Sequence, residues 1–131
     1  MPMSIIRNSR GTGKTTSKAP SDRFTGDVWV DSAFSDGKLT MANVTFTPCA
    51  RTNWHTHEHG QFLQIIAGSG WICDKGEEPQ LVKVGDLVWC PPGTTHWHGA
   101  SAGSYMTHLA IGFGKAEWHE AVPDEDYSKA E

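Results

Sequence analysis

From residue 24 onward, the chain consists of short apolar runs, many of them alternating with polar residues, and turn residues separate the runs. No long segment shows the 3.6-residue periodicity of an amphipathic helix. The separators are the usual turn formers, as in Ser35-Asp36-Gly37 and Pro91-Pro92-Gly93. The pattern predicts nine strands, at 27–33, 39–47, 53–57, 62–67, 70–74, 80–84, 87–90, 95–99 and 105–113.

Nine short strands at this spacing predict an all-β fold, a sandwich or a barrel, and the length of 131 residues suits a single core. The first twenty residues are polar and basic without an apolar period, so 1–20 is predicted to be a partly flexible N-terminal arm. The barrel domain is predicted at 21–121 and an acidic surface tail at 122–131. Only 116–120 is predicted to form a helical turn.

Charge and hydropathy exclude several classes of protein. The net charge of −4 argues against a nucleic-acid partner, which would require a basic face. No apolar run approaches the roughly 18 residues of a membrane span, and the N-terminus lacks the apolar stretch of a secretory signal. Three cysteines without C-x-x-C spacing indicate buried thiols rather than a disulfide framework. We therefore expect a cytoplasmic protein with no membrane partner.

Histidine is the unusual residue type, because six of the seven histidines lie in the middle of the chain. His55 and His57 are two residues apart, so on a strand their side chains point to the same face. Gln61 can return to this face from the turn at 58–60. His96 enters from a second β segment, and His98 follows it at the same two-residue spacing.

Taken singly, each of these histidines is best interpreted as a surface or hydrogen-bonded core residue. Four at two such spacings favour a metal site, because burying several imidazoles without a partner costs several kcal/mol, on the order of 2–7 per polar group. Imidazole and amide ligands without a thiolate suit a first-row divalent ion such as Mn, Fe, Co, Ni or Zn. They disfavour a structural zinc site built from cysteines.

Two motifs resemble those of the cupin family. The first is His55-x-His57-x3-Gln61-x6-Gly68, and the second is Gly85-x5-Pro91-x-Gly93-x2-His96. This resemblance implies the cupin double-stranded β-helix, a jelly-roll barrel, in one small domain. Gln61 replaces the usual glutamate of the first motif, and Ala100 stands where the second motif often ends in asparagine.

Within the cupins, the chain resembles the manganese-dependent hydroxynitrile lyases and their relatives. The shared segments run from Phe24-Thr25-Gly26 through Arg51-Thr52-x-Trp54-His55-Thr56-His57 and His96-Trp97-His98-Gly99-Ala100 to Met106-Thr107-His108-Leu109. The resemblance implies a metal held by His55, His57, Gln61 and His96, with manganese foremost. It also implies a substrate pocket that Thr52, His98 and His108 line as catalytic groups.

The chemistry of such a site can be argued from its ligands. Three neutral imidazoles and a neutral amide leave the charge of a dication uncompensated, so the site is expected to attract an anion or to stabilise an oxyanion. His98 and His108 are then candidate acid and base groups. Such groups suit carbon-centred proton transfers, including decarboxylation, dehydration and isomerisation. The resemblance implies a lyase acting on a small hydroxylated or carbonyl substrate, with cyanohydrin cleavage as the named example.

Other functions stay open at this point. A three-histidine cupin can also be an Fe(II) dioxygenase, an isomerase, or a non-catalytic protein that binds a metal and a small ligand. Arg51 has two interpretations, as a group that binds a substrate carboxylate or as half of a structural ion pair. Since exposed sheet edges are commonly protected by pairing between copies, we expect a homodimer or homotetramer.

Overall fold

Strands account for most of the computed structural model, which describes residues 2–7 and 16–131. Within these ranges there are twelve strands and one short helix. The strands are β1 (Ser17–Lys18), β2 (Phe24–Thr25), β3 (Val28–Ser35), β4 (Leu39–Phe46), β5 (Arg51–Thr52), β6 (His55–His57), β7 (Gln61–Asp74), β8 (Gln80–Lys83), β9 (Leu87–Cys90), β10 (His96–Ala100), β11 (Met106–Phe113) and β12 (Ala116–Trp118); the helix, α1, is Asp124–Tyr127. Residues 1 and 8–15 of the predicted N-terminal arm lie outside the described residues.

The long strand β7 belongs to both halves of the barrel. Its first half pairs with β11 and β9, in a sheet that runs β1-β3-β4-β11-β7-β9. Its second half pairs with β10 and β8, and β10 continues to β5 and β2. Strand β6 pairs with β10 and β12. All of these pairs are antiparallel, and the arrangement confirms the predicted all-β jelly-roll barrel.

The sequence prediction of two strands at 62–67 and 70–74 is wrong, because β7 runs through both without a break. Gly68 and Gly70 look like a turn in the sequence, but they mark places where the backbone of another strand approaches closely. A side chain at Gly68 would lie 1.8 Å from the carbonyl oxygen of Tyr105, and one at Gly70 would lie 2.1 Å from that of Gly99. Gly68 also has a positive φ of 73°, so the strand bends there without ending.

The periodic pattern missed the shortest elements. Strands β1, β2 and β12 are two or three residues long, and the two-residue strand β5 lies outside every predicted strand, just before the one predicted at 53–57. The helical turn predicted at 116–120 is wrong, since Ala116–Trp118 is a strand that pairs with His55–His57. Helix α1 forms later, in the segment predicted as a tail. No helix among the described residues is long and apolar enough to cross a membrane.

Two apolar clusters fill the fold. The larger lies between the sheets and contains Val28, Val44, Phe46, Ala50, Ile65, Val82, Ala100 and Met106. The smaller lies outside the barrel, where Trp54, Cys73 and Trp97 pack against Val122 and Tyr127. The second cluster shows that part of the predicted acidic surface tail is buried, because Val122 is 1% exposed and Tyr127 is 5% exposed.

Arg51 attaches this C-terminal segment to the barrel. Its buried guanidinium donates two hydrogen bonds to the carbonyl oxygen of Val122, at 3.1 and 2.7 Å, and one to that of Cys49, at 3.1 Å. It also pairs with Asp124 at 2.7 Å and lies over the ring of Tyr127. Of the two interpretations of Arg51, the structure supports the ion pair, since the charge faces the C-terminal segment and is fully partnered.

We predict that Arg51→Met lowers the free energy of unfolding by about 2–3 kcal/mol, because it leaves buried carbonyl oxygens without donors. Asp124→Asn should have a small effect, since the Asp124 side chain is 97% exposed and water screens its charge. Urea unfolding of both variants, each with the metal content of the parent, checks the comparison. An equal loss in the two variants would show that the ion pair, rather than the bonds to carbonyl groups, holds the segment.

Candidate metal centre

Two neighbouring strands bring four of the predicted site histidines together. His55 and His57 lie on β6, and His96 and His98 lie on β10. The strands pair with His96 opposite His55, and the rings of these two residues are 4.3 Å apart between centroids. All four side chains are buried, with exposures between 1% and 8%. The two-residue spacing thus has the effect expected from a strand, since each pair faces the barrel interior.

The backbone fixes the orientation of two of these rings. The Nδ1 atom of His55 lies 2.9 Å from the carbonyl oxygen of Asn53, and the Nδ1 atom of His96 lies 3.0 Å from that of Thr94. A carbonyl oxygen only accepts, so each Nδ1 must carry the proton and donate it. The lone pair of each ring is therefore on Nε2, where it is available to a metal ion.

Gln61, the first residue of β7, lies among three imidazoles. Its Oε1 atom is 3.3 Å from the Nε2 atom of His96, and its side chain also approaches the imidazoles of His55 and His57. The amide is 5% exposed. The structure therefore brings together the four residues predicted as ligands, with the amide at their centre.

A second grouping of possible ligands overlaps this one. His55, His96 and His98 each have a ring nitrogen that lies within 4.8 Å of the other two. This group shares two residues with the predicted set but contains His98, which was predicted as an acid or base, in place of His57. The sequence could not separate the two possibilities, since both histidine pairs have the same spacing on adjacent strands.

The imidazoles of the site are held in the neutral form. Burial, followed by the neighbouring His96, lowers the pKa of His55 well below its usual value. Burial, followed by His108, does the same for the pKa of His98. Burial, again followed by His96, lowers the pKa of His57 to about 4. Neutral imidazoles are the form that binds metal ions.

Several buried ring nitrogens have no hydrogen-bond partner among the described residues. They are the Nε2 atoms of His57 and His98 and the Nδ1 atom of His108. Unpartnered buried polar atoms are costly and rare, so they indicate that a group is missing. A divalent ion fits here, because the surrounding donors are neutral nitrogen atoms and one amide oxygen.

His98 and His108 form a hydrogen-bonded pair deeper in the barrel. The Nε2 atom of His108, on β11, is 3.0 Å from the Nδ1 atom of His98. Burial lowers the pKa of His108 to about 4. The third residue predicted to be catalytic, Thr52, accepts a hydrogen bond from the backbone N–H of His98 at 3.2 Å. All three predicted catalytic residues therefore lie in one buried network.

A cavity of about 550 Å³ opens onto these groups. Its polar end is formed by Thr52, His55, His57, Gln61, His98 and His108, and most of its walls are apolar. Trp118 is a wall residue that the sequence reasoning missed, because the region 116–120 was predicted to be a helical turn. Its ring stacks on that of His55, with 4.5 Å between centroids and 22° between planes. The only sequence signal for Trp118 was the presence of a large apolar residue in an otherwise polar segment.

Two histidines lie away from the site. His59 is on the turn after β6, and its side chain is 69% exposed, 3.6 Å from the carboxylate of Glu58. His119 is exposed as well. The cluster that the sequence suggested thus consists of the five histidines His55, His57, His96, His98 and His108, and His59 is outside it.

Comparison with known proteins identifies the family. The cupin domain family matches residues 42–112. A curated relative, the (R)-mandelonitrile lyase of Granulicella tundricola, is 46% identical, and the match covers 88% of this chain and 94% of the relative. The crystal structure of a cupin-like protein from Thermotoga maritima is 39% identical with a TM-score of 0.84, over 87% of this chain and 92% of that one.

A more distant structure agrees on the fold. The crystal structure of a predicted oxalate decarboxylase from Thermotoga maritima has a TM-score of 0.72 at 20% identity, over 86% of this chain and 100% of that one. At this identity the likeness concerns the barrel and not its activity. The chain belongs to the cupin family, as a small single-domain member that is similar to the hydroxynitrile lyase-like cupins.

Proposed function

We propose that this cupin is a metal-dependent lyase that cleaves small cyanohydrins to a carbonyl compound and hydrogen cyanide. The observation that carries the proposal is the group of buried, neutral histidines at the closed end of an apolar cavity. The 46% identity to a protein named (R)-mandelonitrile lyase supports the choice of reaction. The apolar walls suit the hydrocarbon part of such a substrate.

The residues that would hold the metal are His55, His57, Gln61 and His96, with manganese as the proposed ion and Fe, Co, Ni or Zn as alternatives. His55 and His96 are oriented by backbone carbonyls, and the Oε1 atom of Gln61 lies 3.3 Å from the Nε2 atom of His96. When bound, a dication supplies Lewis-acid stabilisation of an oxyanion. Because every proposed ligand is neutral, the protein would not cancel the charge of the dication.

The proton transfers are assigned to His98 and His108. If the Nδ1–H of His98 donates to the Nε2 atom of His108, the lone pair of His98 is on its Nε2 atom, which has no partner among the described residues. That atom takes the proton of the substrate hydroxyl. The bond between the hydroxyl-bearing carbon and the nitrile carbon then breaks, its electron pair leaves with cyanide, and the hydroxyl carbon becomes a carbonyl.

The two rings also return the proton to cyanide. His98 then carries a proton on each ring nitrogen; its Nδ1–H still donates to the Nε2 atom of His108, which stabilises the imidazolium, and its Nε2 proton is free to leave, so that both rings end in their starting tautomers. Cyanide takes that proton and departs as hydrogen cyanide. Thr52 holds the backbone of His98 in place through its hydroxyl oxygen. The surrounding apolar walls keep water from competing for the proton.

Metal analysis of alanine variants tests the ligand set. We predict that the purified protein carries a single manganese ion per chain and that His55→Ala, His57→Ala and His96→Ala each weaken its binding more than about 100-fold. His59→Ala is the matched control and should keep the metal, since that side chain is exposed. His98→Ala should also keep it. Loss of metal from His98→Ala together with retention by His57→Ala would assign the site to His55, His96 and His98.

Cleavage of mandelonitrile tests the reaction. The manganese-loaded protein is expected to release benzaldehyde at the same rate with and without dioxygen. The release is measured by the absorbance of benzaldehyde. A chelator should remove the activity and added manganese should restore it. A requirement for dioxygen would indicate an Fe(II) dioxygenase, and metal binding without turnover would indicate a binding cupin.

Replacing His108 tests the contribution of the histidine pair. His108→Ala should lower kcat about 10²- to 10⁴-fold, because it removes the partner of His98, while the manganese content stays at one ion per chain. His119→Ala, an exposed histidine away from the cavity, is the control and should leave kcat unchanged. Steady-state kinetics and metal analysis of the same samples check this. A His108→Ala protein with full activity would show that proton transfer does not pass through this pair.

A further inference from the structure

The outer part of the cavity carries positive charge only. Lys18 and Arg23 are the lining residues with a formal charge, and no Asp or Glu among the described residues lines the cavity. This is unexpected in a chain with a net charge of −4. No carboxylate on the described walls therefore balances the two cations.

The two cations differ in their partners. The Nζ atom of Lys18 forms an ion pair with Asp27 at 3.0 Å, so its charge is already matched. Arg23 forms no ion pair with any described residue. Its guanidinium instead lies over the indole of Trp118, 5.5 Å from the ring centroid. Stacking of this kind leaves the N–H groups around the edge of the guanidinium available to a ligand.

Arg23 is also fixed relative to the candidate metal centre. The guanidinium lies over Trp118, and the ring of Trp118 stacks on that of His55. Trp118 is also paired with His55 in the sheet. The carbonyl oxygen of Arg23 accepts a hydrogen bond from the backbone N–H of Asn53 at 2.8 Å, two residues before His55. One indole ring, that of Trp118, therefore separates the guanidinium from the imidazole of His55, and the guanidinium lies at the outer end of the same cavity.

We infer that Arg23 binds a carboxylate, and that the physiological substrate is an anionic compound with its carboxylate at one end of an apolar body. The inference rests on the proposed function in placing the hydroxyl or carbonyl group at the other end, near His98 and His108. A guanidinium binds a carboxylate through two parallel hydrogen bonds, which fixes orientation as well as charge. Apolar lining residues such as Phe24 and Met41 would contact the body between the two ends.

Binding of a matched pair of probes tests the inference without requiring turnover. The probes are 4-(hydroxymethyl)benzoate and 4-(hydroxymethyl)benzamide, which differ in charge but hardly in shape, and binding to the manganese-loaded protein is measured by titration calorimetry. We expect the acid to bind roughly five- to tenfold more tightly than the amide, as for a charged hydrogen bond in a partly exposed site. Arg23→Gln should abolish this preference, and Arg23→Lys should retain part of it.

Lys18→Gln is the matched control. It also removes a positive charge from the cavity, but that charge is already paired with Asp27. It should leave the preference for the acid nearly unchanged. An equal preference in the parent protein and in Arg23→Gln would overturn the inference, since the carboxylate would then bind elsewhere, for instance at the metal. An equal loss in Lys18→Gln would overturn the assignment to Arg23.

The two proposals fail in different ways. A preference for the acid that depends on Arg23, in a protein that cleaves no cyanohydrin, would refute the lyase and leave the carboxylate subsite standing. Cleavage of mandelonitrile by a protein that binds both probes equally would refute the subsite alone.

Discussion

The site depends on hydrogen bonds from imidazole N–H groups to main-chain carbonyls. The backbone at Asn53 and Thr94 accepts from His55 and His96, and this fixes both the tautomer and the direction of each ring. Without these acceptors, rings this deeply buried would have no defined lone-pair direction. The barrel supplies the second condition, since the pairing of β6 with β10 sets the two oriented rings opposite each other. The direction of each lone pair is thus determined by the backbone.

Much of the fold and of the histidine cluster could be predicted from local periodicity. Alternation along a strand is a strong signal, so the inward face of His55 and His57, and of His96 and His98, followed from spacing alone. The motifs with Gly68 and Gly93 then identified the cupin barrel. What periodicity could not give was the register between strands, and the roles of His57 and His98 depend on that register and on the deeper partner His108.

The errors have physical causes of the same kind. Gly68 and Gly70 have the composition of a turn, but here they permit close approach of another strand, which only the tertiary structure shows. Trp118 lies in a stretch of three residues that has no period of its own and is a strand only because β6 lies beside it. The acidic tail looked like a surface segment because its charges dominate its composition, whereas two of its residues, Val122 and Tyr127, are buried.

The C-terminal segment supports the strand that carries His96 and His98. Strand β10 is buried along its whole length. His96 and His98 face the cavity, while Trp97 between them faces the other way and packs in the cluster with Val122 and Tyr127. The Tyr127 hydroxyl donates to the carbonyl oxygen of Ala100 at the end of the same strand. The stiffness of the strand that carries two site histidines therefore depends on residues outside the barrel, so sequence change in the tail can alter the site without touching it.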